Sequence, residues 1–402
     1  MNIENIKTYF STLDLDLRKS RDARWIDQKC TPDVVCFIAD CVINYLEENP
    51  SKTSFVVNDI WDSAYFNENV TAVFGKPDAQ NESASSEYDK FIQQPLRMIS
   101  YAQVLNCVKR GATNHYSVKN NELLEFIAQK DRNSYRFTYE YIVKVLKDSD
   151  VLKEFENFKS IYLAGKATQT EFVELKTKYE DFILENTPIN QRVEIRRIFT
   201  KILNPYAVEN KIVGTIKGRM SDKIMNFSEL MYNRENWRDV YSDKSKGITR
   251  QEFESTLDNN VAEVYNKYLV QKMMNQIKRK YQTSEVKDEW ANGDATQVHH
   301  IFMKSDFPQI AHYLENLIKL TPTQHYTKAH PNNNTQIIDK NYQYICLVSK
   351  SNSIEVSLSN KEDFYSTENF VFVLNSGLSA NLSNNSNLKE IRGFLAREYN
   401  RN

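Results

Sequence analysis

The run Thr296-Gln297-Val298-His299-His300-Ile301-Phe302, with Asn316-Leu317-Ile318-Lys319-Leu320-Thr321-Pro322-Thr323-Gln324-His325 after a short spacer, organises the reading of this chain. The first run has strand character. Residues 316–320 read as a second short strand. Thr321-Pro322 then opens a helix, with Thr as cap and Pro at the first helical position, so His325 lies about one turn in. Five of the six histidines fall between residues 299 and 330. Imidazole is a metal ligand and a proton acceptor near neutral pH, so so dense a cluster points to metal-assisted or acid–base chemistry. Successive strand side chains face opposite ways, and adjacent His299 and His300 converge on one centre only at a strand end or a bend. Two strands and a helix can bring His299 and His325 onto one metal, with His300 directed at an attacking water. His115 and His312 stand apart and read as structural.

The pattern V-H-H-I, a spacer, then N-L-I-x-L-T-P-x-x-H resembles the HNH, or ββα-metal, nuclease motif. The resemblance covers residues 296–330 of 402. It implies that His299 is a metal ligand (often Asp in relatives), His300 the general base, Asn316 the residue that braces the loop and orients the base, and His325 the last ligand. Some relatives carry a further ligand four residues on, where this chain has Ala329. On a regular helix, positions 325 and 330 diverge by about 140°, and Pro331 follows at once, which argues against His330 as a ligand. The implied chemistry is phosphodiester hydrolysis with a single divalent cation. Mg²⁺ is the expected working ion, although two imidazoles also suit Mn²⁺, Ni²⁺ or Zn²⁺.

More loosely, the whole chain resembles type II restriction endonucleases of the HNH class. That resemblance implies sequence-specific cleavage of double-stranded DNA, a homodimer to cut both strands, and a cognate DNA methyltransferase. Homing, nicking and toxin-type HNH nucleases are the alternatives, as is a non-catalytic DNA-binding protein stabilised by a metal.

The bulk of the chain limits the other choices. Its 402 residues are 41% hydrophobic and 26% charged, with nine glycines and nine prolines, the profile of a globular protein rather than a disordered or fibrous one. No apolar run approaches the about 18 residues of a membrane span, and the N-terminus lacks the basic-then-apolar pattern of a secretory signal; a cytoplasmic location is expected. The five cysteines show no CxxC pair, against a disulfide framework or a zinc ribbon. The net charge of −1 requires any DNA-binding surface to concentrate its cations locally.

The expected fold is α+β: mainly helical N-terminal and middle regions, a C-terminal ββα-metal module and a few further strands. Residues 1–135 read as a helical region compatible with a winged-helix-like DNA-recognition unit, 136–204 as a helical connector broken at Pro188 and Pro205, and 205–402 as a basic segment plus the catalytic region. Residues 32–48 form a helix capped by Thr31, with Cys36 and Cys41 on its apolar face. Ser54–Ile60 reads as a short strand, Pro95–Lys109 as helix, Gly111–Val118 as extended and Asn121–Gln129 as helix. Residues 211–223 carry Lys217 and Arg219 in a glycine-containing basic segment able to lie against phosphates; an exposed hairpin has the same composition. A long helix starting at the capping-box pattern Thr249–Glu252 ends in Lys278, Arg279 and Lys280, a second phosphate-tracking candidate. Beyond the histidines, Ile354, Val356 and Leu358 alternate like a half-buried strand, Phe370–Leu374 reads as a buried strand, and Leu388–Tyr399 as an amphipathic helix.

Overall fold

The computed structural model describes residues 1–76, 78–80, 85–232, 259–335 and 337–400. The capping-box pattern at Thr249–Glu252 therefore lies outside the described residues. The fold is α+β, mostly helical, and its three described sheets are two-stranded antiparallel pairs. The chain divides after Val261 into two compact units. Among the described residues, no helix is long and apolar enough to cross a membrane.

The first unit is built round helix Pro32–Glu48, buried without interruption from Pro32 to Tyr45. Pro32 sits at the first helical position as its fixed φ favours. Thr31 holds the N-cap position, but its hydroxyl makes no capping bond. Helices Ser85–Tyr101, Asn121–Gln129 and Asp131–Asp148 pack against this central helix. Cys36 and Cys41 are buried there, and all five cysteines are free.

Several sequence expectations for this unit need correction. Ser54–Ile60 is not a strand: Phe55 makes one isolated bridge to Tyr116, and Val57–Trp61 is helical. The helix expected over Pro95–Lys109 instead runs from Ser85 to Tyr101, with Pro95 inside it. Gln103, at φ 60°, turns the chain away from the helix, and β1 (Leu105–Arg110) pairs with β2 (Thr113–Val118) in a hairpin. Pro205 likewise lies within helix Arg192–Asn210 rather than ending one; Pro188 does fall between helices. The basic segment is the hairpin of β3 (Val213–Ile216) and β4 (Arg219–Ile224). Its two-residue turn, Lys217 at φ 52° and Gly218 at φ 81°, has both residues at positive φ, matching the twist of a tight hairpin.

The second unit holds the end of helix Asn259–Lys280, the pair β5 (Gln297–His300) and β6 (Leu317–Leu320), a π-helical turn Gln324–Ala329, and helices Lys340–Ser359, Thr367–Leu378 and Leu388–Tyr399. Their apolar faces share one core, which includes Ile301, Phe302, Leu317, Ile318, Leu347, Ile354, Phe370 and Ile391. The two strands expected beyond the histidines are helices. Val356 and Leu358 are 61% and 41% exposed, and the buried stripe is Leu347, Lys350, Ser351, Ile354 and Ser357 at helical spacing. In the run from Phe370 to Leu374, Phe372 is 43% exposed while its four neighbours are buried, the i, i+1, i+3, i+4 face of a helix.

Candidate metal centre

β5 and β6 pair antiparallel, with His299 opposite Ile318 and His300 opposite Leu317. Strand alternation sends the two histidines to opposite faces. His299 is buried and packs with His325 and His330: the ring centroids lie 5.2 Å (299–325), 4.9 Å (299–330) and 4.9 Å (325–330) apart. One ligand nitrogen from each of the three rings lies within 4.8 Å of the others. That spacing lets one metal ion sit among the three nitrogens.

His330 was set aside on the sequence because a regular helix turns it away from His325. The structure brings it in. The turn is π-helical, and the His330 N–H donates to the His325 carbonyl at 3.1 Å, an i→i+5 bond. The wider π-turn places residues five apart on one side, and such turns recur at functional sites. His330 leaves the helix as its C-cap. Its Nδ1 bonds the Ile337 carbonyl at 2.8 Å, which fixes the ring and leaves Nε2 with a free lone pair. Ala329, where the HNH resemblance leaves room for a further ligand, packs into the core instead.

Two tests indicate that these side chains suit a metal. His325 Nδ1 is buried with no hydrogen-bond partner, an expensive state for a polar atom unless something binds it. The protonation state also fits. Burial, reinforced by the neighbouring histidines, pushes His299 well below the usual imidazole range. Burial and His330 push His325 down to about 4. Both are neutral at pH 7, as ligation requires.

The scaffold around the triad is polar and fully engaged. Gln324, next to His325, is buried. Its Oε1 accepts from Ser284 Oγ at 2.6 Å and the Thr321 N–H at 3.0 Å, and its Nε2 donates to the Val286 carbonyl at 3.1 Å and Asp288 Oδ1 at 2.7 Å. These four bonds pin the start of the turn. The sequence reading did not single out Gln324; its one signal was an amide inside the motif, between the Thr-Pro start and His325.

His300 is the last residue of β5 and lies outside the triad. Its Nε2 bonds the Ala311 carbonyl at 3.1 Å, so Nε2 carries the proton and Nδ1 the lone pair. Burial, partly opposed by that bond, lowers its pKa, with a smaller push from Lys304. Asn316 ties down the loop that supplies Ala311. Its Oδ1 accepts from the Phe302 N–H at 2.8 Å, and its Nδ2 donates to the Phe302 carbonyl at 3.1 Å and the Ile310 carbonyl at 3.2 Å.

The five basic candidates are not gathered into one feature. Lys217 and Arg219 are exposed at the β3–β4 turn of the first unit. Lys278, Arg279 and Lys280 end a helix of the second, where Lys280 is paired with Glu362 and lies over the Phe364 ring. His312 stacks on Tyr313 with centroids 5.0 Å apart, and His115 sits on β2. No protein-family model matches this chain, and no curated protein or solved structure is similar to it.

Proposed function

We propose that the second unit is an HNH-type, ββα-metal phosphodiesterase centre and that the chain is a site-specific double-stranded DNA endonuclease of the type II restriction class. One observation carries the reading: a strand pair and a helical turn assemble three imidazoles, and the adjacent His300, at the end of β5, is held by the Ala311 carbonyl. His299, His325 and His330 would hold a divalent ion, which would supply Lewis-acid polarisation of the phosphate and offset charge on the leaving oxygen. Three nitrogen donors favour Zn²⁺, Mn²⁺ or Ni²⁺ over Mg²⁺, which prefers oxygen.

The other roles belong to the chain itself. His300 Nδ1 takes the proton of the attacking water, because the Ala311 carbonyl fixes the opposite tautomeric proton on Nε2. Asn316 keeps that carbonyl in place by closing the loop between the strands. Cutting both strands of a duplex calls for two such centres and so for two copies of the chain; a cognate methyltransferase belongs to the same reading.

A second reading has support in the burial of His299 and His330: a metal that only stabilises the unit. Incubation with linear double-stranded DNA separates the two. Discrete fragments that need a divalent ion, vanish with EDTA and are absent for His300→Ala support the endonuclease. A smear indicates a nonspecific or toxin-type nuclease. Uncut DNA with Mg²⁺, Mn²⁺, Ni²⁺ and Zn²⁺ each, from protein that binds the metal, leaves the stabilising role.

A further inference from the structure

The β1–β2 hairpin projects from the first unit. Leu105 and Tyr116 anchor its base, where Tyr116 stacks on Phe55 with centroids 5.7 Å apart. From Val108 to Thr113 every residue is exposed. The register fixes its two faces: Leu105, Cys107 and Lys109 share one with Val118, Tyr116 and Asn114, and Asn106, Val108 and Arg110 share the other with Ser117, His115 and Thr113. The first face turns inward at its base. The second contains no buried residue along its length.

The exposed end of the hairpin is cationic, with Arg110 on the outer face and Lys109 on the other. Between Ala102 and Asn121 there are three cations, Lys109, Arg110 and Lys119, and no acid, within a chain whose net charge is −1. Among the described residues, no acid pairs with Lys109 or Arg110. Next to Arg110 on this face stand Thr113, His115 and one exposed aliphatic group, Val108 at 54%, while nearer the base Asn106 Nδ2 donates to Ser117 Oγ at 3.3 Å. A guanidinium fork, a small hydroxyl group and an isolated methyl surface are elements that read base edges and thymine methyls.

We propose that this hairpin is a β-ribbon that enters the major groove of the DNA substrate, with Arg110 and Val108 facing the base edges and Lys109 contacting phosphate. The dimensions agree. At about 3.4 Å per residue, Cys107 to Arg110 reaches about 10 Å, enough for a groove about 8.5 Å deep, and a two-stranded ribbon fits its width of about 12 Å. The narrow major groove of A-form RNA excludes it. The ribbon rests on the endonuclease reading only for the identity of its ligand, and it places recognition on the hairpin rather than on a helix.

The test uses the full-length protein with EDTA present, so that binding is read without cleavage. Fluorescence anisotropy follows a labelled random-sequence DNA duplex and an RNA duplex of equal length. The Lys109→Ala/Arg110→Ala double variant is expected to bind the DNA about tenfold more weakly or worse and to lower the salt dependence. Lys147→Ala/Lys153→Ala, with the same charge change on exposed helix positions, is expected to bind as wild type does. Circular dichroism confirms that both fold. Equal binding by the two double variants, or equal affinity of the wild type for DNA and RNA, overturns the ribbon even if the protein cuts DNA. A wild type that binds through Lys109 and Arg110 but never cleaves keeps the ribbon and removes the nuclease. Arg110→Lys keeps the charge and loses the fork; it is expected to relax the set of sites cut, and an unchanged fragment pattern removes Arg110 from base reading.

Discussion

Asn316→Ala should release the loop that supports His300. Asn316 is fully buried, and its side chain satisfies three backbone groups: the N–H and carbonyl of Phe302 and the carbonyl of Ile310. Alanine leaves the Phe302 N–H and carbonyl unpaired, while the Ile310 carbonyl keeps the Tyr313 N–H at 3.2 Å. Each orphaned buried group costs about 1–3 kcal/mol, so the loop between the strands should lose at least about 2 kcal/mol, a factor of about thirty or more in local opening. Native-state hydrogen exchange read by mass spectrometry, on peptides spanning 301–316, measures this directly. Protection should fall by about thirtyfold or more there, while helix Leu388–Tyr399 changes less. Asn316→Asp should do no better. It keeps the acceptor for the Phe302 N–H but turns a carboxylate toward two carbonyl oxygens. A loss of protection below tenfold in alanine, or rescue by aspartate, would refute the bracing role.

The remaining expectations concern the metal and two buried charges. His330→Ala should weaken Zn²⁺ binding about a hundredfold or more, measured by competition with a chromogenic chelator; unchanged affinity would return the site to the two ligands His299 and His325. Lys350 and Glu285 form a fully buried pair at 2.6 Å, and Lys350 also donates to Tyr365 Oη at 2.8 Å. Lys350→Met strands the carboxylate and should destabilise the second unit by about 3–5 kcal/mol, whereas Glu285→Leu/Lys350→Met should recover much of that loss; a double variant no more stable than the single one, in urea unfolding, would contradict this. Burial, with a smaller contribution from Asp131, raises Asp33 to about 6. Its stabilising, protonated form is complete below the ordinary carboxylate range and is lost as pH rises through about 6, so the ion costs about 3 kcal/mol at neutral pH. Asp33→Asn should therefore stabilise the first unit at about pH 8 by up to that amount, with the gain shrinking toward about pH 5; a pH-independent difference would show that Asp33 is not the titrating group.

What the sequence disclosed and what it hid have separate physical causes. The helix at 32–48 and the strand–strand–helix order at 296–325 were legible because their caps, proline positions and apolar spacing act locally. The segments 354–358 and 370–374 were misread because a short apolar run cannot distinguish periods of 2 and 3.6; which residues face the core is decided by the packing of Phe370 and Ile354 against their neighbours, not by the run itself. Pro95 and Pro205 read as boundaries in the sequence, yet both lie inside helices, where tertiary packing outweighs a lost N–H bond. His330 was missed for a more particular reason. The angular argument that excluded it assumes an α-helix, and Pro331 was a warning that regular geometry stops there.

That failure has a location, and the location bears on function. Local rules are broken together around the three rings: a π-turn replaces α-helix, Asn332 takes φ 57°, the amides of Asn316 and Gln324 are buried, and His325 Nδ1 is left without a partner. Each makes sense if the constraint is the convergence of nitrogens. The π-turn aligns 325 with 330, Gln324 anchors the turn against Ser284 and Asp288, and Asn316 anchors the loop behind His300. His299 joins the triad from β5, and His300, at the strand's last position, stays outside it with its Nε2 on the Ala311 carbonyl.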